Sequence, residues 1–280
     1  MSDTFNICDG DPYFCVVGSP INHSKSPQIH AAFGRQCDVP LRYERVEIKA
    51  GSFQQALAEF VVAGGRGMNV TVPLKEEACL SASTLRSRAQ ATGAANMITV
   101  DADGTTVGDN SDGAGLIRDL LGNHRQQLIN TRVLLIGAGG AARGVIPSLL
   151  AEQVAELVVV NRTALKARTL ADQFSRLGSI RASDYDSLSG EPYDLVVNAT
   201  SLSLSGQIPP LPRAVIGADT CCYDMMYTQD GKTPFLEWCR STGARQAYDG
   251  LGMLVEQAAN AFSLWHGVEP DTAAVIKMLR

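Results

Sequence analysis

Arg132-Val133-Leu134-Leu135-Ile136-Gly137-Ala138-Gly139-Gly140-Ala141-Ala142 is the stretch on which the fold turns. The apolar run 133–136 has the continuous pattern of a strand covered on both faces. The glycine-rich turn follows without a gap and matches G-x-G-x-x-A, the relaxed form of the dinucleotide fingerprint. One glycine permits the tight turn, and the next lets the backbone approach a pyrophosphate. The small residue at the end lets the following helix pack on the sheet, with its N-terminus facing the phosphates. Alone the motif is common, and a glycine turn in a non-binding sheet looks the same. Here it sits in strand–loop–helix–strand order: Leu157-Val158-Val159-Val160 reads as the next strand and Tyr193 to Val197 as a further one.

The residue that closes the second strand selects the cofactor. A site for NAD usually places an acid there to hold the ribose 2′-hydroxyl. This chain has Asn161, then Arg162-Thr163, with Lys166 soon after. No carboxylate repels a 2′-phosphate and two cations can hold one, which predicts NADP. The alternative is that Arg162 and Lys166 are ordinary solvated helix charges.

Outward from this loop, strand and helix signals alternate along the whole chain, as in α/β architecture. Tyr13 to Gly18 reads as a buried strand. Ser26-Pro27 opens a helix, with Ser26 as N-cap and proline at the first helical position. Ser52 to Ala63 is helical and stops at Gly64-Gly65. Gly67 to Val72 is a strand ending at Pro73. Met97 to Val100 and Thr105 to Val107 flank the turn Asp101-Ala102-Asp103-Gly104. A helix covers Met253 to Trp265, and domain junctions are expected near Asp112 and Tyr248.

The 280 residues suit one large domain or two of ordinary size, and 45% hydrophobic against 19% charged residues supports a buried core. A net charge of -5 disfavours a nucleic-acid binder, which needs a basic face. No apolar run approaches the ~20 residues that span a bilayer. Asp3, Asp9 and Asp11 stand where a signal peptide needs positive charge and then an apolar run. The seven cysteines are odd in number without C-x-x-C spacing, and the four histidines are scattered. Reduced thiols, a cytoplasmic protein and no metal site follow as expectations. Structural thiols are the preferred reading over a catalytic cysteine.

The N-terminal half holds a second set of polar residues near strand ends. Ser24 and Ser26 lie around a helix N-terminus, a site ready for a carboxylate; the plain alternative is a helix cap. Lys75 follows Pro73 just past a buried strand, where side chains reach a cleft, although a lone lysine there is usually a surface charge. Asn96 precedes the hairpin, and Asp112 follows Gly108-Asp109-Asn110-Ser111.

Together these segments resemble the shikimate dehydrogenase (shikimate/quinate dehydrogenase) family over nearly the whole chain. The resemblance rests on Gly18-Ser-Pro-Ile-Asn-His-Ser24-Lys-Ser26-Pro, Asn69-Val-Thr71-Val-Pro-Leu-Lys75-Glu, Ala94-Ala-Asn96 and Gly108-Asp-Asn-Ser-Asp112-Gly. It continues through Gly137-Ala-Gly-Gly-Ala, Asn161-Arg162-Thr163, Asn198-Ala-Thr-Ser, Tyr223-Asp224-Met225 and Gly250-Leu-Gly252-Met-Leu-Val-Glu-Gln257-Ala-Ala. It implies two α/β domains: a discontinuous substrate-binding domain, 1–111 with 248–280, and a Rossmann-type NADP-binding domain, 112–247, with the active site in the cleft between them. The C-terminal helices would return to the first domain.

The implied reaction is the interconversion of 3-dehydroshikimate and shikimate. Ser24 and Ser26 would hold the substrate carboxylate. Thr71, Lys75, Asn96, Asp112 and Gln257 would hold its ring oxygens, with Lys75 and Asp112 as the catalytic pair. Gly137, Ala138, Gly139, Gly140, Ala141, Asn161, Arg162, Thr163, Lys166 and Thr200 form the implied NADP set. The expected partners are the small-molecule substrate and NADP, with no nucleic acid and no membrane, in a monomer or homodimer.

The wording departs from the family at Ser111 and Met97, where threonine is common, and at Ser203, where glycine is common near the nicotinamide. Two other readings stay open. One is a quinate/shikimate dehydrogenase paralogue that accepts NAD, which an acid at position 161 would favour. The other is a non-catalytic NADP-binding sensor, which predicts loss of the lysine–aspartate pair.

Overall fold

The computed structural model describes Phe5, residues 12–188 and residues 191–280. Asp3, Cys8, Asp9 and Asp11 lie outside the described residues. In chain order the elements are β1 (Tyr13–Gly18), α1 (Ser26–Cys37), β2 (Arg42–Glu47), α2 (Phe53–Val62), β3 (Gly67–Val70), α3 (Lys75–Ser81), β4 (Thr84–Leu85), α4 (Ser87–Thr92), β5 (Met97–Val100), β6 (Thr106–Asp109) and α5 (Asp112–Arg118). They continue with β7 (Arg132–Ile136), α6 (Gly140–Ala151), β8 (Glu156–Val160), α7 (Ala164–Phe174), β9 (Ile180–Ser183), β10 (Leu195–Asn198), β11 (Cys221–Asp224), α8 (Pro234–Thr242), β12 (Gln246–Asp249), α9 (Leu251–His266) and α10 (Thr272–Leu279). A short π-helical turn, Asp119–Asn123, follows α5.

Two compact units result: Met1–Asp112 with Val255–Val275, and Gly113–Leu254 with Ile276–Arg280. Residues 248–254 and 276–280, assigned from sequence to the first unit, belong to the second, and Asp112, assigned to the second, belongs to the first. β12 pairs along its whole length with β11, and the Arg280 guanidinium forks onto the buried Asp249 carboxylate.

The first unit has a mixed sheet in the order β2-β1-β3-β5-β6-β4. β1 runs parallel to both β2 and β3, while β5 is antiparallel to β3 and β6. Alternation along the strands sends Tyr13, Cys15, Val17, Met68, Val70 and Ile98 into one core with Phe53, Leu57 and Phe60 of α2. Phe14 faces the other way and stacks on Trp265 of α9 at 4.9 Å. Gly67 makes that approach possible: a Cβ there would stand 2.5 Å from the indole. The indole N–H donates to Thr99 Oγ1 at 3.1 Å.

The second unit is a wholly parallel sheet in the order β12-β11-β10-β7-β8-β9. Counted within this unit, that is strand order 3-2-1-4-5-6 read from the other edge of the numbering, the doubly wound dinucleotide-binding arrangement. Three inner strands carry continuous apolar runs, Val133–Ile136, Leu157–Val160 and Leu195–Val197, because both faces are covered. Val133, Leu135, Leu157, Val159 and Val197 pack with Val145, Leu149 and Phe174. Leu134, Ile136, Val158, Val160 and Val196 pack with Phe235 and Leu236. Each such side chain contributes about 1.5–3 kcal/mol on burial.

Two local expectations are corrected. Ser26 is the first residue of α1 rather than its cap; Lys25 holds the cap position with no side-chain bond. The Ser24 hydroxyl, one residue earlier still, accepts the Ser26 N–H at 3.3 Å. β3 ends at Val70, not Val72: the Thr71 N–H still donates to the Val17 carbonyl at 2.9 Å, but its own carbonyl accepts the Leu74 N–H at 3.0 Å, closing a turn.

Candidate active site

In the first unit, backbone bonds draw three segments together. The Asn96 carbonyl accepts from Val70 N at 2.8 Å and its N–H donates to the Asp109 carbonyl at 3.0 Å. The Lys75 carbonyl accepts from Ala95 N at 2.8 Å. Asn110 folds the link into α5: its Oδ1 accepts the Asp112 N–H at 3.1 Å and its Nδ2 donates to the Ala94 carbonyl at 3.0 Å.

On this frame the side chains converge. Lys75 Nζ donates to Asp112 Oδ2 at 2.5 Å. Asn96 Nδ2 donates to Asp112 Oδ1 at 2.8 Å and lies 3.5 Å from Gln257 Oε1. Asn96 Oδ1 accepts the Ser111 N–H at 2.8 Å. The Lys75 and Asp112 side chains are 19% and 9% exposed, so the pair is largely desolvated yet still reachable. Ser111 places its hydroxyl 3.2 Å from Asn96 Oδ1 and 3.3 Å from the Gln257 carbonyl.

The loop after β1 lies against the loop after β3. Ser19 N donates to the Val72 carbonyl at 3.1 Å, and a Cβ on Gly18 would stand 2.5 Å from Thr71 Cγ2, which demands glycine there. Ser24 and Ser26 follow, their hydroxyl oxygens 3.2 Å apart. Arg45 fixes this turn by donating to the Ser24 carbonyl from Nε at 2.8 Å.

Beside Ser26 sits a polar cluster that sequence reading missed. Tyr43 Oη lies 2.6 Å from Asn69 Oδ1, and the His30 ring stacks on Tyr43 at 4.1 Å. Burial and, second, the neighbouring His266 lower the His30 pKa to about 3, so the ring is neutral. Asn69 opens the Asn-Val-Thr-Val-Pro motif, which is the one hint in the sequence.

In the second unit, Gly137 follows β7 with φ +110, and a Cβ there would stand 3.2 Å from both the Ala199 carbonyl oxygen and Thr200 Cγ2. Gly139 caps α6, and a Cβ on Gly139 or Gly140 would meet open space. An open cradle of backbone at a helix N-terminus fits a pyrophosphate. Asn161, at the end of β8, donates to the Thr163 carbonyl at 3.0 Å, and Arg162 and Lys166 beside it are exposed. Thr200, after β10, donates through Oγ1 to Asn198 Oδ1 at 2.7 Å.

Asn198 in turn donates to Asp224 Oδ1 at 3.1 Å, while Ser203 and Thr233 donate to Oδ2 at 2.7 and 2.6 Å. Burial raises the Asp224 pKa against these bonds. Ser203 thus ties its short turn to a strand end.

Among the described residues, no cluster of three or more His, Cys, Asp or Glu could hold a metal, and no helix is long and apolar enough to cross a membrane. Six described cysteines are unpaired, five of them buried.

Three family descriptions match: the shikimate dehydrogenase substrate-binding domain over residues 16–98, shikimate/quinate 5-dehydrogenase over 119–205, and the shikimate 5'-dehydrogenase C-terminal domain over 250–280. Shikimate dehydrogenase (NADP(+)) of Alkalilimnicola ehrlichii is 47% identical over 95% of this chain and 98% of its own length. The crystal structure of an Ael1 enzyme from Pseudomonas putida superimposes with a TM-score of 0.90 at 44% identity, covering 96% of this chain and 98% of that one. Shikimate 5-dehydrogenase from Thermus thermophilus, in complex with NADP(H) and shikimate, gives 0.84 at 30% identity over 96% and 98%. With 95% of its length matched at 47% identity, the chain belongs to the shikimate dehydrogenase family.

Proposed function

We propose that this chain interconverts 3-dehydroshikimate and shikimate with NADP, a step toward chorismate and the aromatic amino acids. One observation carries the reading: Lys75, Asp112, Asn96 and Gln257 share a hydrogen-bonded network in the first unit. A non-catalytic relative has no need of a desolvated lysine–aspartate pair.

When bound, NADP supplies the hydride chemistry at the C3 carbon. The protein's own task is to hold the ring and manage one proton. Ser24 and Ser26 bind the carboxylate, while Thr71, Asn96 and Gln257 hold ring oxygens. Lys75 faces the reacting oxygen. As the ketone oxygen gains negative charge, the ammonium stabilises it and gives up a proton; in the other direction the amine takes the proton back. Asp112 keeps Lys75 in place, and Asn96 fixes the second oxygen of Asp112. The open cradle at 137–141 with Thr200 takes the pyrophosphate side of NADP. Asn161, Arg162, Thr163 and Lys166 take the 2′-phosphate.

Initial rates with shikimate and quinate, each with NADP and with NAD, test the reading. Shikimate with NADP is expected to be the best pair. Preference for quinate or NAD would favour the paralogue, and no turnover in any combination would favour the sensor. A cytoplasmic location fits the unpaired thiols. We place the chain as a monomer or homodimer without nucleic-acid partners, in keeping with its net charge of -5.

A further inference from the structure

Asp109 ends β6 with its side chain buried, 2% exposed. A carboxylate taken out of water needs a partner, and α4 supplies one. Arg88 donates from Nε to Asp109 Oδ1 at 3.0 Å and from Nη2 to Oδ2 at 2.5 Å. This is the two-pronged geometry in which guanidinium and carboxylate hold each other most firmly. Arg86 Nε stands 4.0 Å from Oδ2, beyond hydrogen-bond reach. Asp109 Oδ1 also accepts the Asn110 N–H at 2.7 Å. The peptide that opens the turn toward Asp112 is therefore oriented by a carboxylate that Arg88 holds.

The same Arg88 Nη2 donates a second time, to Asn260 Oδ1 of α9 at 3.0 Å. Gln257 lies three residues earlier on that helix and shares a face with Asn260. Its carbonyl accepts from Ser111 Oγ at 3.3 Å, and its Oε1 is 3.5 Å from Asn96 Nδ2. Two polar ties thus run from this part of α9 to the Asp109–Asp112 segment, one through Ser111 and one through Arg88. Apolar burial fixes where a helix lies but has no direction of its own. Directional bonds at two points less than a turn apart fix how the helix is rotated, and with it where the Gln257 amide stands.

We propose that Arg88 and Asn260 are positioning residues for Gln257: the guanidinium extends the frame of the site from Asp109 to α9 and sets the Gln257 amide beside Asn96. The proposal rests on the reading that Gln257 holds a ring oxygen of the substrate. The bonds of Arg88 run to Asp109 and Asn260 rather than to Lys75 or Asp112, so substrate binding, not proton transfer, answers to them.

Removing Arg88 strands a buried carboxylate and threatens folding. The test therefore cuts at Asn260, which leaves the Arg88–Asp109 pair in place. In the full-length enzyme Asn260→Ala should raise the KM for shikimate about fivefold, the scale of one neutral hydrogen bond. The kcat should stay within about twofold, and the KM for NADP should not move. In a Gln257→Ala background the same change should add nothing, because it acts only through Gln257. Asn260→Asp keeps an acceptor facing Arg88 and should restore the wild-type KM. A role in stability alone would lower the urea midpoint and leave KM where it is. An unchanged KM in Asn260→Ala, a rise by the same factor in both backgrounds, or a rise that persists in Asn260→Asp overturns the proposal. If Gln257→Ala raises the KM for shikimate while Asn260→Ala does not, only the positioning role fails. If Gln257→Ala itself leaves that KM unchanged, the reading of Gln257 fails and takes the proposal with it.

Discussion

Lys75 and Asp112, 37 positions apart in the chain, meet at 2.5 Å, and Asn96 occupies the carboxylate oxygen that Lys75 leaves. Positioned acid–base groups are worth ~10²–10⁴ in rate. Lys75→Met should therefore lower kcat by about that factor while NADP affinity stays nearly constant. Asp112→Asn should also be damaging. The double variant should be little worse than the poorer single one, since the residues act as a unit. Independent, multiplying losses, or a kcat for Lys75→Met within a few-fold of wild type, would return Lys75 to the rank of a surface charge.

Arg162 and Lys166 are exposed beside the end of β8, with no acid at position 161. A charge-assisted contact is worth ~1.5–3 kcal/mol. Arg162→Ala should weaken NADP binding roughly ten- to a hundredfold and leave NAD almost untouched. Calorimetric titration with both cofactors decides it: equal losses would mean that Arg162 does not read the 2′-phosphate.

The second unit is the more legible half. β7, β8 and β10 carry the continuous apolar runs Val133–Ile136, Leu157–Val160 and Leu195–Val197, a signal that burial on both faces imposes on sequence, whereas β9, β11 and β12 carry none and escape it. β2 escapes a reading by pattern because Arg42-Tyr-Glu-Arg-Val-Glu47 is an edge strand whose charges face solvent or pair along it. Lys75, Asn96 and Asp112 stand in the sequence only as separate weak signals, since local pattern does not carry the β3–β5–β6 pairing that joins them. Tyr43 and His30 offer nothing: their contact lies between a helix and an edge strand, and neither residue sits in a motif. Ser26 is misplaced by one position, because serine before proline reads as a cap, whereas here Ser24 bonds the helix start instead.

His30 gives the first unit a pH dependence with a definite sign. Its folded pKa, lowered chiefly by burial, is about 3 against an ordinary 6.5. Above the ordinary value both states are neutral and stability is full. As pH falls from there toward 3, the unfolded chain binds a proton that the folded one refuses, so stability drops. His30→Phe keeps a ring against Tyr43 and removes this term. Between pH 7.5 and 5 the wild type should lose about 2 kcal/mol more than the variant, visible in urea titrations. His266, also lowered by burial, leaves a residual slope. The same slope in both proteins would mean that His30 is not the group responsible.

Gly252 sets propensity against packing. It lies in the first turn of α9, where exchanging glycine for alanine in a helix gains up to ~1 kcal/mol when nothing is in the way. Here a Cβ would fall inside the Asp119 carboxylate. That carboxylate cannot easily withdraw. It is fully buried, accepts from Tyr223 Oη at 2.6 Å and Asn123 Nδ2 at 2.9 Å, and lies 3.5 Å from His124 Nε2. Burial alone would raise its pKa, yet these bonds outweigh burial and hold it below the usual value, so it is an anion. Moving it breaks bonds to a buried charge, each worth ~1.5–3 kcal/mol. Gly252→Ala should therefore destabilise the second unit by about 2–3 kcal/mol. The cause can be isolated with Asp119→Ala, which opens the space at its own large cost. If the clash is the mechanism, the double variant is no less stable than Asp119→Ala alone, because the added methyl then meets nothing and keeps only its helical preference. A rise in the urea midpoint for Gly252→Ala alone would show that Asp119 yields more readily than its bonds suggest.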